Sequence, residues 1–253
     1  MDPIDRLQAQ ITELSGSSRK PWVTLSYAQS LDGSLAAHRG APLQLSGPES
    51  LRLTHRLRAA HQAILVGIGT VLADDPRLTV RLVPGDNPQP VILDSHLRIP
   101  LKANLLNYRQ TGAPPPWIVT TQQENPDKLA RLQSMGARLL PLPGETDGRV
   151  HLPALLDCLA DLGITRVIVE GGARVISSFL SQRLVDFVVL TIAPALVGGL
   201  RALEAQPKSG LTAIRPPFPR LLQFDSARLG DDLVVWGNLE RIAEPRSSAL
   251  TEV

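Results

Sequence analysis

The hydrophobic positions of this chain change period repeatedly, and the changes mark out alternating helices and strands. Residues 3–14 carry Ile4, Leu7, Ile11 and Leu14 at helical spacing, an N-terminal extension over 1–19 expected to lie outside the main core. From Trp22 to Ala28 the period shifts to two, with Trp22, Thr24 and Ser26 against Val23, Leu25 and Tyr27; this strand ends in the turn Ser30-Leu31-Asp32-Gly33. Ser46-Gly47-Pro48-Glu49 opens a helix to Ala60, with Ser46 the expected cap and Pro48 tolerated in the first turn. Leu51, Leu53, Leu57 and Ala60 point inward, which leaves Arg52, Arg56 and Arg58 either as a solvated face or reaching toward a ligand.

Short apolar runs at 63–66, 90–94, 117–120, 137–140, 166–169 and 187–192 have the length of buried strands, and helical patterns at 125–135, 152–162 and 175–184 fall among them. Residues 96–116 are proline-rich and read as loop. Leu221–Ala227 and Leu233–Leu239 flank Gly230-Asp231 as a hairpin, and the polar residues 243–253 are expected to be disordered. The alternation predicts an α/β fold over 20–242, without a composition break sharp enough for a second domain.

Composition removes several function classes. At 253 residues and 43% hydrophobic the chain can bury a substantial core. Lys+Arg 26 against Asp+Glu 24 gives +2, and no basic run interleaved with aromatics occurs, so a nucleic-acid partner is not expected. Cys158, the sole cysteine, sits among Leu155, Leu156, Leu159 and Leu162 as a small core residue, which excludes an intramolecular disulfide and a cysteine-rich zinc site. The histidines at 38, 55, 61, 96 and 151 show no metal-ligand spacing, so no metal is expected. No apolar run approaches the roughly 18 residues of a membrane span, and the polar start does not resemble a signal peptide, so a cytoplasmic protein is expected.

The candidate chemistry gathers at two places where a strand meets a glycine turn and then a helix: Gly67-Ile68-Gly69-Thr70 and Gly171-Gly172-Ala173. A helix N-terminus offers unpaired N–H groups and a positive dipole end, so both turns can hold an anion, and the second is the cleaner phosphate cradle. Neither matches Gly-x-Gly-x-x-Gly, since Leu72 stands where the third glycine belongs. Glu170, at a strand end beside the second turn, would face the crevice at the carboxyl ends of the strands or hydrogen-bond its own turn. Asp74 and Asp75 close a helical patch, where negative charge opposes the dipole and calls for a partner such as Arg77 or Arg81. Thr120 and Thr121 end another strand, either as ordinary strand-end hydroxyls or as groups that would accept a 2′-phosphate and so favour NADP over NAD.

Taken together, several blocks resemble the pyrimidine reductase of riboflavin biosynthesis, in many bacteria the C-terminal half of a fused deaminase/reductase. They are residues 22–33, 64–81, 91–95, 169–173 and 184–186, with Ile192-Ala193-Pro194, in family order over roughly 20–240. The resemblance implies a dihydrofolate-reductase-like fold with a mostly parallel central sheet, helices on both faces and a C-terminal hairpin. It also implies a homodimer and NADPH-dependent reduction of a ribosylamino group on a pyrimidine 5′-phosphate to ribitylamino. By position, Ala28, Thr70, Asp74, Ser95 and Gly171, Gly172, Ala173, Arg174 and Val175 would line NADPH, with Thr120 beside them. Arg58, Leu78, Arg81 and Glu170 would face the substrate, and Asp74 and Glu170 are the catalytic candidates, Asp74 for the proton.

Ser26 stands where the fused enzymes usually carry lysine, and Gln44-Leu45-Ser46 where they carry Trp-Ile-Thr. The run from Ser26 to Asp32 is more similar to the fungal stand-alone reductases, which act on a 2,5-diaminopyrimidine. Both the diamino and the deaminated pyrimidine therefore stand as substrates. No His-x-Glu or Pro-Cys-x-x-Cys deaminase signature occurs, which assigns deamination to a separate chain. The alternatives are NADPH reduction of another imine or a pterin, and a non-catalytic nucleotide-binding subunit docking through residues 3–14.

Overall fold

The computed structural model describes residues 3–13, 20–41, 43–121, 125–203 and 219–240; the expected disordered tail at 243–253 lies outside them. In chain order the elements are α1 (Pro3–Glu13), β1 (Trp22–Ser30), β2 (Ser34–Ala36), α2 (Pro48–Ala59), β3 (Ala63–Gly67), α3 (Ile68–Asp74) and β4 (Gln89–Leu93). A 3-10 turn (Asn104–Asn107) leads to α4 (Tyr108–Thr111), β5 (Trp117–Thr120), α5 (Pro126–Ser134), β6 (Arg138–Pro141), α6 (Leu152–Asp161) and β7 (Arg166–Val169). The chain continues through α7 (Ala173–Ser181), β8 (Phe187–Ala193), β9 (Leu200–Arg201), β10 (Leu221–Leu229) and β11 (Asp232–Leu239).

The main sheet runs β10-β11-β8-β1-β7-β3-β4-β5-β6. From β8 to β6 every pairing is parallel, while β11 is antiparallel to β8 and β10 to β11. This is the expected mostly parallel sheet with a C-terminal hairpin. Its strands read as near-continuous apolar runs because helices cover both faces. In β3, Ile64 and Val66 pack with Leu53 and Leu57 of α2 and Leu132 of α5. Ala63 and Leu65 face the opposite layer, with Leu155 and Leu159 of α6 and Ile176 and Phe179 of α7. After β6 at the sheet edge, the chain returns through α6 and inserts β7 between β1 and β3. That reversal brings the carboxyl ends of β1, β7, β3 and β4 to one crevice, the usual ligand position in such sheets.

Three expectations need correction. The N-terminal helix is part of the core: Ile4, Leu7 and Ile11 are buried in the same cluster as Val234 and Trp236 of the hairpin. Gln10 Oε1 accepts from the Trp236 indole at 3.1 Å, and Arg6 lies 3.3 Å from Asp225, so the helix covers a hairpin face that would otherwise be bare. Gly47, not Ser46, occupies the N-cap of α2, and its N–H donates to Asp232 Oδ2 at 2.8 Å. The 96–116 segment is not all loop, because the 3-10 turn buries Leu105 and Leu106. Strands β2 and β9 pair antiparallel as a separate small flap, too short for any periodicity to reveal.

Candidate active site

A cleft of about 1350 Å³ follows the carboxyl ends of the strands. It exceeds the range of roughly 300–1,000 Å³ usual for one small ligand, and has room for two. Ala28, Arg58, Thr70, Asp74, Leu78, Ser95, Glu170 and Gly171 to Val175 all line it. Thr120 and Arg81 do not.

Two charged residues of the cleft are joined to each other. Arg58, on α2, donates from Nε to Glu170 Oε1 at 2.8 Å and from Nη2 to Oε2 at 2.7 Å, while Nη1 reaches Thr79 O at 3.1 Å. Their side chains are 12% and 15% exposed. Burial works against the Arg58 charge, but the adjoining carboxylate outweighs it and raises the guanidinium pKa. Leu78 is buried with φ 53, a left-handed conformation unusual for leucine; it lies beside Thr79, whose carbonyl accepts from Arg58.

Arg81 is exposed, and its backbone N–H donates to His55 Nδ1 at 3.1 Å. Burial and the charges of Arg58 and Arg77 lower its pKa, opposed by Glu170, so a cationic group stands beside the buried pair. Asp75 finds its partner elsewhere than expected. It closes α3 in the left-handed region at φ 40, and Asn104 N donates to its Oδ1 at 2.8 Å. Asp74 stands at the cleft with its carboxyl pushed up by burial. No hydrogen bond or ion pair engages its side chain among the described residues.

The glycine turn before α7 is built by packing. A Cβ on Gly171 would collide with the Val175 side chain, and one on Gly67 would come within 2.7 Å of Val175 Cγ2. These glycines let β3, β7 and α7 approach closely. Gly172 is the N-cap and makes no side-chain cap, and the amides of Ala173 and Arg174 have no acceptor among the described residues. Those free donors, the dipole and the exposed Arg174 fit a diphosphate. The α3 turn contributes less, since that helix has only 7 residues.

Thr120 is buried and donates to Ser95 O at 3.1 Å, as Thr121 does at the same distance. Both hydroxyls thus donate to the Ser95 backbone, and Thr120 does not line the cleft. Asp94 does similar work: its oxygens accept from Arg98 N at 2.8 Å and Ile99 N at 2.7 Å, fixing the bend after β4. The bend turns Ser95, His96 and Arg98 to the cleft, where Arg149 joins them. Sequence reasoning missed the last three; the signal for His96 and Arg98 was an aspartate followed by a hydroxyl, a histidine and, after Leu97, an arginine at a strand end, and nothing comparable marked Arg149. No three His, Cys, Asp or Glu side chains converge as a metal site, and no helix is long and apolar enough to cross a membrane, among the described residues.

Residues 21–235 match the family model of the RibD C-terminal domain. The chain belongs to that family. It is 39% identical over 219 residues to the 2,5-diamino-6-ribosylamino-4(3H)-pyrimidinone 5′-phosphate reductase of Methanothermobacter thermautotrophicus, covering 85% of this chain and 97% of that one. With the riboflavin biosynthesis protein RibD of Aquifex aeolicus it shares 35% over 229 residues, 87% of this chain but 58% of that longer protein. Among solved structures, the riboflavin biosynthesis reductase Rib7 of Saccharomyces cerevisiae superposes with a TM-score of 0.75 at 27% identity, covering 95% of this chain and all of Rib7. RibD of Acinetobacter baumannii gives 0.73 at 28%, over 89% of this chain and 60% of that one.

Proposed function

We propose that this chain is an NADPH-dependent reductase that converts the ribosylamino side chain of a pyrimidine 5′-phosphate to ribitylamino. The observation that carries the reading is one cleft with two differently built ends, inside a family whose relatives are named for this reaction. The free amides of Ala173 and Arg174, with the Ser95 hydroxyl, suit the cofactor's diphosphate and sugars. Ser95 Oγ accepts from Val150 N at 3.2 Å, so its proton is free to be donated. With Thr120 outside the cleft lining, preference for NADPH over NADH falls to the arginines Arg98 and Arg149 around Ser95.

Beyond the lining at the other end, Arg81 presents positive charge beside the Arg58–Glu170 pair, with Arg77 close to it. A phosphate monoester is attracted there, and the Glu170 carboxylate suits ribose hydroxyls. When bound, NADPH supplies the hydride that C1′ of the open-chain imine receives. The imine nitrogen takes a proton in the same reduction. Asp74, with its raised pKa, donates or orients that proton. The relatives' names favour the 2,5-diamino substrate, in keeping with Ser26 at the cleft.

The active species is a homodimer. On the α6–α7 side of the sheet, Phe224 and Leu233 of the hairpin are 65% and 43% exposed beside half-buried Leu190, Ile192 and Val235. A second copy covers this flat apolar face by two-fold pairing. Mixing purified chain and NADPH with each pyrimidine tests the reaction. Cofactor oxidation with at least one is expected, and none with both contradicts the reading.

A further inference from the structure

We infer that Asp32 is a positioning residue: its carboxylate bolts the β2–β9 flap to the sheet and thereby sets the binding of a ligand ring in the cleft, without touching that ligand. The inference rests on the reductase reading only for its kinetic consequence. Asp32 does not line the cleft, whereas Leu35, Ala36 and Leu200 of the flap do. These side chains form an apolar wall, the surface a planar heteroaromatic ring would pack against.

The clamp is specific to a carboxylate. Asp32 Oδ1 accepts from Ser30 Oγ at 2.5 Å and Val197 N at 3.0 Å. Oδ2 accepts from Ser34 Oγ at 3.0 Å and Gly198 N at 2.7 Å. Ser34 Oγ in turn accepts from Gly199 N at 3.0 Å, so three successive amides after β8 end on this cluster. Ser30 Oγ also accepts from Ser34 N at 2.9 Å, which closes the turn between β1 and β2. Both serines are buried, at 0% and 1% exposure. The hydrogen bonds hold the Asp32 carboxyl well below its ordinary pKa, with the Ser30 bond first and those from Val197 and Gly198 next.

The clamp also sets the spacing of the flap. A Cβ on Gly199 would collide with Ala36 O, so β9 lies hard against β2. Across the flap Ala36 pairs with Leu200 and Ser34 with Arg201. Each carboxylate oxygen takes one hydroxyl and one backbone N–H. A serine hydroxyl can reverse its role, but a backbone N–H cannot. In Asp32→Asn, either amide orientation therefore sets an NH₂ against a backbone donor.

The test compares the full-length wild type with Asp32→Asn and Ser34→Ala. Hydrogen exchange at the amides of Val197, Gly198 and Gly199 should quicken by about 10-fold or more in Asp32→Asn while amides of β3 and β7 stay protected. In steady-state kinetics, KM for the pyrimidine should rise by about 10-fold or more with kcat within about 3-fold, the signature of lost ground-state positioning. Ser34→Ala, which frees only the Gly199 amide and one donor to Asp32, should give a smaller change of the same kind, and decides the matter if Asp32→Asn does not fold. Unchanged exchange at the three amides, or a fall in kcat at constant KM, overturns the inference. A wild type without turnover would contradict the reductase reading, and the exchange comparison would still decide the clamp.

Discussion

Arg58 and Glu170 are separated by 112 positions in sequence, yet the guanidinium grips both carboxylate oxygens at 2.8 and 2.7 Å. The pair ties α2 to the turn after β7, so this end of the cleft is built from residues of both halves of the chain. Removing one partner leaves a buried charge, which typically costs about 3 kcal/mol or more. Glu170→Leu and Arg58→Met should each destabilise strongly in urea denaturation. The double replacement should cost less than the sum of the two, as coupled neighbours do. Additive losses would show that the pair contributes nothing as a pair.

Acid should destabilise the protein through two buried histidines. His61 Nδ1 donates to Leu57 O at 2.6 Å, since a carbonyl can only accept, and Nε2 therefore accepts from Thr24 Oγ1 at 2.8 Å. Burial pushes His61 down to about 4; burial and the charges of Arg58 and Arg81 push His55 to about 4 as well. The ordinary value is 6.5, so between pH 6.5 and 4 the unfolded chain binds more protons than the native one. Stability is complete above pH 6.5 and is lost as pH falls through that window, with a slope approaching about 1.4 kcal/mol per pH unit for each histidine. Urea midpoints from pH 7 to 4.5 measure this, and a flat profile would contradict it.

Arg81→Ala should raise KM for the pyrimidine phosphate by about 10-fold and leave cofactor affinity nearly unchanged, because the exposed cation is asked only to attract a phosphate. Its effect should shrink at high salt. Equal loss of both affinities would mean that the two ends of the cleft are exchanged.

Much of this arrangement was legible in the sequence. Apolar runs such as Ala63–Val66 and Arg166–Val169 announce buried parallel strands, and Glu170 and Gly171 sit at a strand end where the fold puts a crevice. What one sequence does not reveal is which polar groups satisfy one another. Arg58 and Glu170 read as two separate ligands of a substrate until the structure joins them. Thr120 reads as a cofactor contact until its hydroxyl is seen on the Ser95 carbonyl. The three-residue β2 and two-residue β9 carry no period, and α1 looks detachable because its partner, the hairpin, comes at the other end of the chain.

Phe224→Asp should yield monomers. The substitution places a charge on the exposed apolar face and disturbs little inside, so sedimentation should show a halved mass with thermal stability of the subunit largely kept. Wild-type chain that sediments as a monomer would contradict the dimer.

The measurement that bears most directly on the proposed reaction is isotope transfer. Purified chain is supplied with NADPH carrying deuterium at the reactive nicotinamide carbon and with the 2,5-diamino or the deaminated ribosylaminopyrimidine phosphate, and the product is read by mass spectrometry and NMR. The expected result is a ribitylamino product with one deuterium at C1′ from one label face of the cofactor. A ribitylamino product that carries no deuterium from either face, or no such product at all, would contradict direct hydride reduction in this cleft.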